Sequence, residues 1–514
     1  MKRRFFIVNS LQSAALSVAA LRADQRVAAK TTTQRLQTEQ KESEAKATSK
    51  TMLFFDDWPL NRLDHVERRI GRPTPVTESV FVDPYVNVTW GYPSVFKDPS
   101  RRAQWQCLYQ GWDAKRERLY PLIAESEDGI VWRVPDLSAE VDLPGRAYPH
   151  QVLPVEEFNE WSPCYYDERA PSDERLKGLV VAFGKDYAKS YLWVSADGRR
   201  WRRKEGVIWQ PEAPDPVSCV FWNSVRSSYV ITTRPMGSDR RISLIETKDW
   251  RNFSSAELAL QTDAQDTPLA EAYGMPVFFY EGFYIGLLWI YHVTPEVAGA
   301  SPHKFWRGKI DAQLAYSRNG WHFQRGLRER FMPNAEPGEF GAGCLQPASM
   351  VIDEKDRIRI YSSATKFEHG VPIPGDGAII QHTMRRDGFV YLQSTGGPGT
   401  IGTRPLLWQG GPLKINLAAT GGEAHVQITD SAGTPLTGYA FNDCEPFAGD
   451  ALYWQPRWKE GRSLASFPER TLRIEVRLSN ARLYAIRGQF TILTGAETTN
   501  YETRGERPKN KPGF

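Results

Sequence analysis

The sequence predicts an all-β protein, a five-bladed β-propeller followed by a C-terminal β-sandwich. Three observations predict it: a polar turn followed by an aromatic recurs five times, strand-like runs precede each turn, and the pattern changes to short alternating segments after Thr403. The turns are Ser126-Glu127-Asp128-Gly129 before Trp132, Ser195-Ala196-Asp197-Gly198 before Trp201, Thr247-Lys248-Asp249-Trp250 before Phe253, Ser317-Arg318-Asn319-Gly320 before Phe323, and Arg385-Arg386-Asp387-Gly388 before Phe389. Their starts lie roughly 50 to 70 residues apart, the length of one four-stranded blade with its loops, so each repeat predicts a blade.

Asp-Gly and Asn-Gly supply the positive φ angles of a tight hairpin, and the aromatic that follows can pack back between neighbouring blades. Ahead of each turn lie two strand candidates. The first strands read Pro93-Ser94-Val95-Phe96, Pro163-Cys164-Tyr165-Tyr166, Cys219-Val220-Phe221-Trp222, Pro276-Val277-Phe278-Phe279 and Ala348-Ser349-Met350-Val351. Second strands follow at Gln104 to Tyr109, Leu179 to Phe183, Tyr229 to Thr233, Phe283 to Trp289 and Ile358 to Ser362. They are short, aromatic and β-branched, with breakers at their ends.

These patterns divide the chain. Lys2-Arg3-Arg4-Phe5-Phe6 and the moderately apolar stretch from Ile7 to Ala20 have the form of a bacterial export signal over 1–28. The paired arginines point to the twin-arginine route and a periplasmic or secreted location. Asn9 and Gln12 interrupt a stretch that would need about 20 apolar residues to span a membrane. Residues 29–51 are polar, lack aromatics and read as a linker. The propeller is expected over 52–402, the sandwich over 403–495 and a polar tail over 496–514. In the sandwich, Leu413, Ile415 and Leu417 alternate with polar residues, as do Leu472, Ile474, Val476 and Leu478.

Composition narrows the function classes. With 65 Lys and Arg against 61 Asp and Glu the chain is nearly balanced, and no basic run marks a nucleic-acid partner. The 17 Trp suit either sugar stacking or packing between blades. The five Cys show no metal or redox spacing and fit buried thiols, with the odd number arguing against a disulfide framework. The eight His form no metal motif and no phosphate-binding loop is present, so no cofactor is expected, while a structural calcium held by loop oxygens stays open.

Three stretches carry a family likeness: Leu53-Phe54-Phe55-Asp56-Asp57, Ala272-Tyr273-Gly274-Met275-Pro276-Val277-Phe278 and Ile310-Asp311-Ala312-Gln313-Leu314-Ala315-Tyr316-Ser317. With the architecture, they resemble the glycoside hydrolases related to family 32 and less closely family 43, in particular the bacterial hydrolase-like branch of that superfamily. The resemblance implies carbohydrate chemistry at the propeller funnel. The chain departs from the family 32 pattern, however. The nucleophile motif Asn-Asp-Pro-Asn-Gly is replaced by Thr89-Trp90-Gly91-Tyr92-Pro93, and Arg-Asp-Pro by Glu160-Trp161-Ser162-Pro163. Catalytic residues therefore do not carry over directly, and neither does a fructose-polymer substrate.

Blade geometry supplies an independent selection. In an up-and-down blade, the start of the first strand, the end of the second and the start of the third share one side, opposite the Asp-Gly turns. That side collects Asp215, Glu271 and Tyr273 from strand starts; Trp112, Asp113, Lys185, Asp186, Arg234, Trp289, His292 and Lys366 from strand ends; and Arg241 and Asp311 from third strands. Asp56 and Asp57 enter from the N-terminal segment. Glycosidic cleavage commonly uses two carboxyl groups. Glu271, among aromatics, is the expected acid, and Asp215 or Asp57 the nucleophile or base. Arg234, Arg241, Trp112, Tyr273, Trp289, His292, Asp311 and Lys366 would bind substrate, the arginines by pairing with a carboxylate or sulfate. Each has a structural alternative, such as an Asp311–Arg241 ion pair or Asp56 and Asp57 serving loop amides. The expected activity is an exported, exo-acting glycoside hydrolase on a plant or algal oligosaccharide or polysaccharide. The competing expectation is a carbohydrate-binding propeller that has lost its carboxylates.

Overall fold

The repeated turn works by side-chain capture of backbone amides. Ser126 Oγ accepts from the Gly129 N–H at 2.9 Å while Asp128 Oδ1 accepts from the Ile130 and Val131 N–H groups at 2.8 and 3.0 Å. The same pairings recur at Ser195 and Asp197, at Thr247 and Asp249, and at Ser317 and Asn319. Each turn leans on the preceding blade. A Cβ on Gly198 would lie 2.8 Å from Phe96, and one on Gly320 would lie 2.6 Å from Asn223, so a side chain is excluded twice over, by contact and by positive φ. The aromatics after the turns also bridge blades: Trp132 meets Tyr361 edge-on and Phe323 meets Phe221.

The computed structural model describes residues 49–98, 101, 104–155, 160–182, 189–209, 218–234, 240–298, 305–371 and 375–508. Four consecutive sheets form the five blades, because blades IV and V share one eight-stranded sheet. Blade I holds Val88–Lys97, Trp105–Asp113 and Arg118–Ser126; blade II holds Glu160–Trp161 with Tyr165–Tyr166, then Leu176–Ala182, Lys189–Ser195 and Trp201–Trp209. Blade III holds Cys219–Asn223, Ser228–Thr233, Ile242–Thr247 and Glu257–Leu260. Blade IV holds Ala270–Gly274 with Val277–Tyr280, then Phe283–Ala298 and Phe305–Ser317. Blade V holds Cys344–Ile352, Arg357–Thr365 and Gly377–Arg385, and its outer strand is the N-terminal Thr74–Phe81, which closes the ring. One parallel pair, Ile310 with Cys344, joins blades IV and V.

The second unit is a sandwich of two six-stranded sheets. Its strands come from both ends of the chain. Lys50–Leu53 pairs with Arg482–Gly488, Val66–Ile70 with Val390–Ser394, and Leu60–Asp64 with Gly399–Thr403. Met52, Phe54, Leu60, Leu392 and Ile401 therefore bury in the same core as Leu472, Ile474 and Val476. The stretches before Thr74 and after Phe389 thus supply strands to the sandwich, while Leu53, Phe55, Ile70 and Val390 also bury against Phe283, Tyr316 and Phe389 of the ring. Residues of the expected polar tail form a helix, Gly495–Arg504, started by a Thr494/Glu497 capping box and ended by left-handed Gly505. The five cysteines are free thiols, and burial pushes those of Cys219 and Cys344 up to about 12. Among the described residues no helix is long and apolar enough to cross a membrane.

Candidate functional site

The starts of the inner strands converge at the end of the ring opposite the Asp-Gly turns. Blade IV contributes most there, because of a β-bulge. Glu271 pairs with Tyr291, Ala272 with Ile290 and Gly274 with Trp289, so Tyr273 is the extra residue between two paired ones. A bulge of this kind re-aims a side chain. Tyr273 points toward two arginines from blade III. Arg234 stacks over its ring at 4.4 Å and donates to the Tyr273 carbonyl at 3.0 Å. Arg240 lies 5.7 Å from the Tyr273 ring and 5.2 Å from that of Tyr291, and donates to Glu271 Oε2 at 2.6 Å.

Blade V supplies His369 from the loop after its second strand. Its Nε2 lies 3.1 Å from Tyr273 Oη and its Nδ1 3.1 Å from Tyr291 Oη. Blades I and II bring half-buried Trp90 and half-buried Glu160 to the same end of the ring. Trp161, beside Glu160, alternates into the core, packs on Trp201 and exchanges backbone hydrogen bonds with the Gln110 amide. Glu160-Trp161 thus supplies one tryptophan that packs in the core and, beside it, one half-buried carboxyl group.

The structure distributes the remaining expected residues differently. Trp289 is fully buried: its indole donates to the Pro347 carbonyl and its ring stacks on Tyr92, so it forms wall rather than platform. His292 and Asp311 alternate with Tyr291 and Ile310 and therefore face away from Glu271. Asp311 is buried between His292 at 2.9 Å and Arg330 at 2.8 Å. The cation paired with Glu271 is Arg240, the neighbour of half-buried Arg241, for which the sequence predicts substrate binding or a pair with Asp311. Glu271 itself sits in an ion pair rather than among aromatics alone.

At the rim, Trp112 is half-buried and pairs with Val88, and Lys366 stacks over Phe340 at 4.8 Å. Asp113 is structural. Burial alone would raise its pKa, but donors from Tyr148, Arg116 and the Lys115 and Arg116 amides outweigh burial and hold it at about 2. Asp57 is exposed and pairs with Arg68, and Asp56 pairs with Arg318, which lies over Phe283. Phe283 follows the far end of the blade IV inner strand, so Asp57 and Glu271 are separated by about 30 Å of strand at 3.3 Å per residue. Asp57 therefore does not join Glu271. Asp215, Lys185 and Asp186 lie outside the described residues.

An apolar cavity of about 460 Å³ lies between the inner strands, but its walls include Phe96, Tyr166, Trp222, Phe278 and Met350, toward the turn end of the ring and away from Glu271. Among the described residues no group of three or more His, Cys, Asp or Glu is placed to hold a metal ion. Sequence reasoning missed Glu160, Arg240 and His369. The rule that selected Glu271, a carboxyl group at the start of an inner strand, also selects Glu160.

No protein-family model matches the chain, and no curated protein does. Among solved structures, the chain is similar to a Bombyx mori GH32 β-fructofuranosidase in complex with sucrose, at 12% identity over 80% of this chain and 94% of that one, TM-score 0.40. It is similar to a thermostable family-43 glycoside hydrolase at 13% identity over 60% of this chain and 95% of that one, TM-score 0.40. A third similar structure is an N-acetylgalactosamine deacetylase from F. plautii in complex with blood group B trisaccharide, at 11% identity over 63% and 95%, TM-score 0.40. The likeness is one of fold.

Proposed function

We propose that the protein is an exported glycoside hydrolase, exo-acting on an oligosaccharide held in the mouth of the ring around Glu271. The observation that carries this reading is the Glu271 carboxyl group, buried except for 18% of its side-chain surface and oriented by Arg240 beside the bulged Tyr273. Glu160 stands at the corresponding start of the blade II inner strand, so two carboxyl groups are available for acid and base work across one opening. Glu271 protonates the leaving oxygen in this reading. Export rests on the basic and then apolar N-terminus, which lies outside the described residues.

A second reading, a carbohydrate-binding propeller without turnover, is favoured by two features. One oxygen of Glu271 is already bound to Arg240, and Trp90 stands where family 32 enzymes carry their nucleophile. A panel of nitrophenyl glycosides and plant and algal oligosaccharides, tested with wild type and Glu271→Gln, separates the two. The hydrolase predicts sugar release by wild type and a loss of about a hundredfold or more in the variant. Equal activity in both would move the acid elsewhere, and saturable binding without turnover would establish the binder.

A further inference from the structure

We propose that Tyr273 is an activated phenol whose proton is taken by His369, and that within the glycoside reading it, rather than a carboxylate, is the nucleophile. The inference rests on that reading for its reaction but not for the activation itself. A nucleophile is recognised by a base within hydrogen-bonding reach and a third group that orients the base. Tyr273, His369 and Tyr291 meet both conditions.

The direction of the hydrogen bonds follows from the end of the chain. Tyr291 Oη donates its proton to the Trp306 carbonyl. It must then accept from His369 Nδ1, so the imidazole carries its proton on Nδ1 and presents the lone pair of Nε2 to Tyr273 Oη at 3.1 Å. Burial pushes the Tyr291 phenol well up, which keeps that proton in place. The base is also held from its backbone: His369 exchanges two hydrogen bonds with Gly308, at 2.9 and 3.2 Å. The following Gly370, at φ +83°, leaves room for the Trp306 carbonyl, which a Cβ would meet at 2.0 Å. Arg234 and Arg240 over the Tyr273 ring favour negative charge on the phenol oxygen.

The reaction balances in two steps. Tyr273 Oη attacks the anomeric carbon as its proton passes to His369 Nε2; the glycosidic C–O bond breaks and the leaving oxygen takes the proton of Glu271. Water then adds to the anomeric carbon, Glu271 takes its proton, the bond to Tyr273 Oη breaks, and imidazolium His369 returns the proton to the phenolate.

Activation is tested on the full chain without a sugar. With benzenesulfonyl fluoride as probe and peptide mass spectrometry as readout, Tyr273 is expected to be sulfonylated about a hundredfold faster than the exposed Tyr85. His369→Gln should bring Tyr273 down to the Tyr85 rate. Tyr291→Phe, which keeps the ring packing and frees the imidazole to turn, should move it the same way. A Tyr273 rate equal to that of Tyr85, or one that neither variant changes, overturns the proposal. The role in hydrolysis is tested by trapping with deoxyfluoro glycosyl fluorides. A sugar adduct on Tyr273 supports it, whereas an adduct on Glu160 or another carboxylate removes Tyr273 as nucleophile and leaves glycoside hydrolysis standing. Fast, His369-dependent labelling in a protein that hydrolyses no glycoside would sink the glycoside reading and leave the activated phenol intact.

Discussion

A carboxyl group at the rim of a propeller can serve structure alone, and Asp113 illustrates how that is recognised. Its buried carboxylate accepts from the Tyr148 hydroxyl at 2.5 Å and from two backbone amides. With its pKa held at about 2, below the ordinary aspartate value, the folded state favours the ionised form. The resulting stabilisation, about 2 kcal/mol, is fully present above about pH 4 and is lost as pH falls toward the folded pKa. Asp113→Asn should therefore be less stable than wild type near neutral pH, with a gap in urea denaturation that narrows below about pH 4. A gap independent of pH would mean that packing, not charge, holds this rim. At the same scale, the sequence distinguishes residue types but not faces. Arg240 and Arg241 are equivalent in the string, yet only the turn geometry decides which meets Glu271, and a shift of one residue reverses the face. His369 carried no signal, because its partners Tyr273 and Tyr291 lie on another blade.

Ring closure depends on one element that receives its partner from the opposite end of the propeller. Thr74–Phe81 pairs with Gly377–Arg385, and within that pairing His382 lies opposite Pro75. Burial lowers the His382 pKa from 6.5 to about 4, so the folded chain holds a neutral imidazole. Because the folded value is the lower one, the contribution is present above pH 6.5 and is lost as pH falls from 6.5 to about 4. Protonation should weaken the closing pair by about 3 kcal/mol. His382→Phe, similar in volume and unable to titrate, should flatten the stability profile over that window in urea titrations; an unchanged profile would place the acid sensitivity elsewhere. The blades were legible because their turns are local. Ser126, Asp128 and Gly129 satisfy one another within four residues, and the same chemistry recurs at Ser195, Thr247 and Ser317. Thr74–Phe81 was not legible, since nothing within Thr-Pro-Val-Thr-Glu-Ser-Val-Phe names a partner nearly a full ring away.

At the scale of the whole molecule, the two units are bolted together where the fifth turn departs from the other four. Arg385 and Arg386 replace the Ser or Thr pattern, and buried Asp387 receives donors from outside its own turn. Arg487 binds both of its oxygens at 2.5 and 2.7 Å, Tyr280 donates at 2.7 Å and Asn416 at 2.7 Å. Tyr280 belongs to blade IV, and Asn416 and Arg487 to the sandwich, so one carboxylate ties two blades to the second unit. Arg487→Met would leave that charge buried without its cation, which costs about 3–5 kcal/mol. It should lower the urea midpoint accordingly, and a change below 1 kcal/mol would show the bolt to be dispensable.

The same architecture decides where the chain can be cut. A division at 52 and 402, drawn where the repeat ends, would cut into Lys50–Leu53 and remove its partner, and would strip Val390–Ser394 and Gly399–Thr403 of their partners Arg482–Gly488 and Arg470–Ser479, leaving Leu60–Asp64 and Val66–Ile70 in two isolated strand pairs. Met52, Phe54, Leu60, Leu392 and Ile401, nearly inaccessible in the whole protein, would face water. Exposed strand edges next to a large apolar patch promote aggregation. A fragment spanning 74–389 instead keeps the five blades and the closing strand Thr74–Phe81; besides the contacts around Asp387 it gives up Phe55, which packs on Phe283, Tyr316 and Phe389, and the pairs Asp56–Arg318 and Arg385–Asp450. The 74–389 fragment should therefore stay monomeric by light scattering and unfold in one cooperative transition, while 52–402 should aggregate. Soluble, cooperative behaviour of 52–402 would show that the N-terminal strands can leave the sandwich and pack on the ring, and the boundary would then lie where the repeat alone places it.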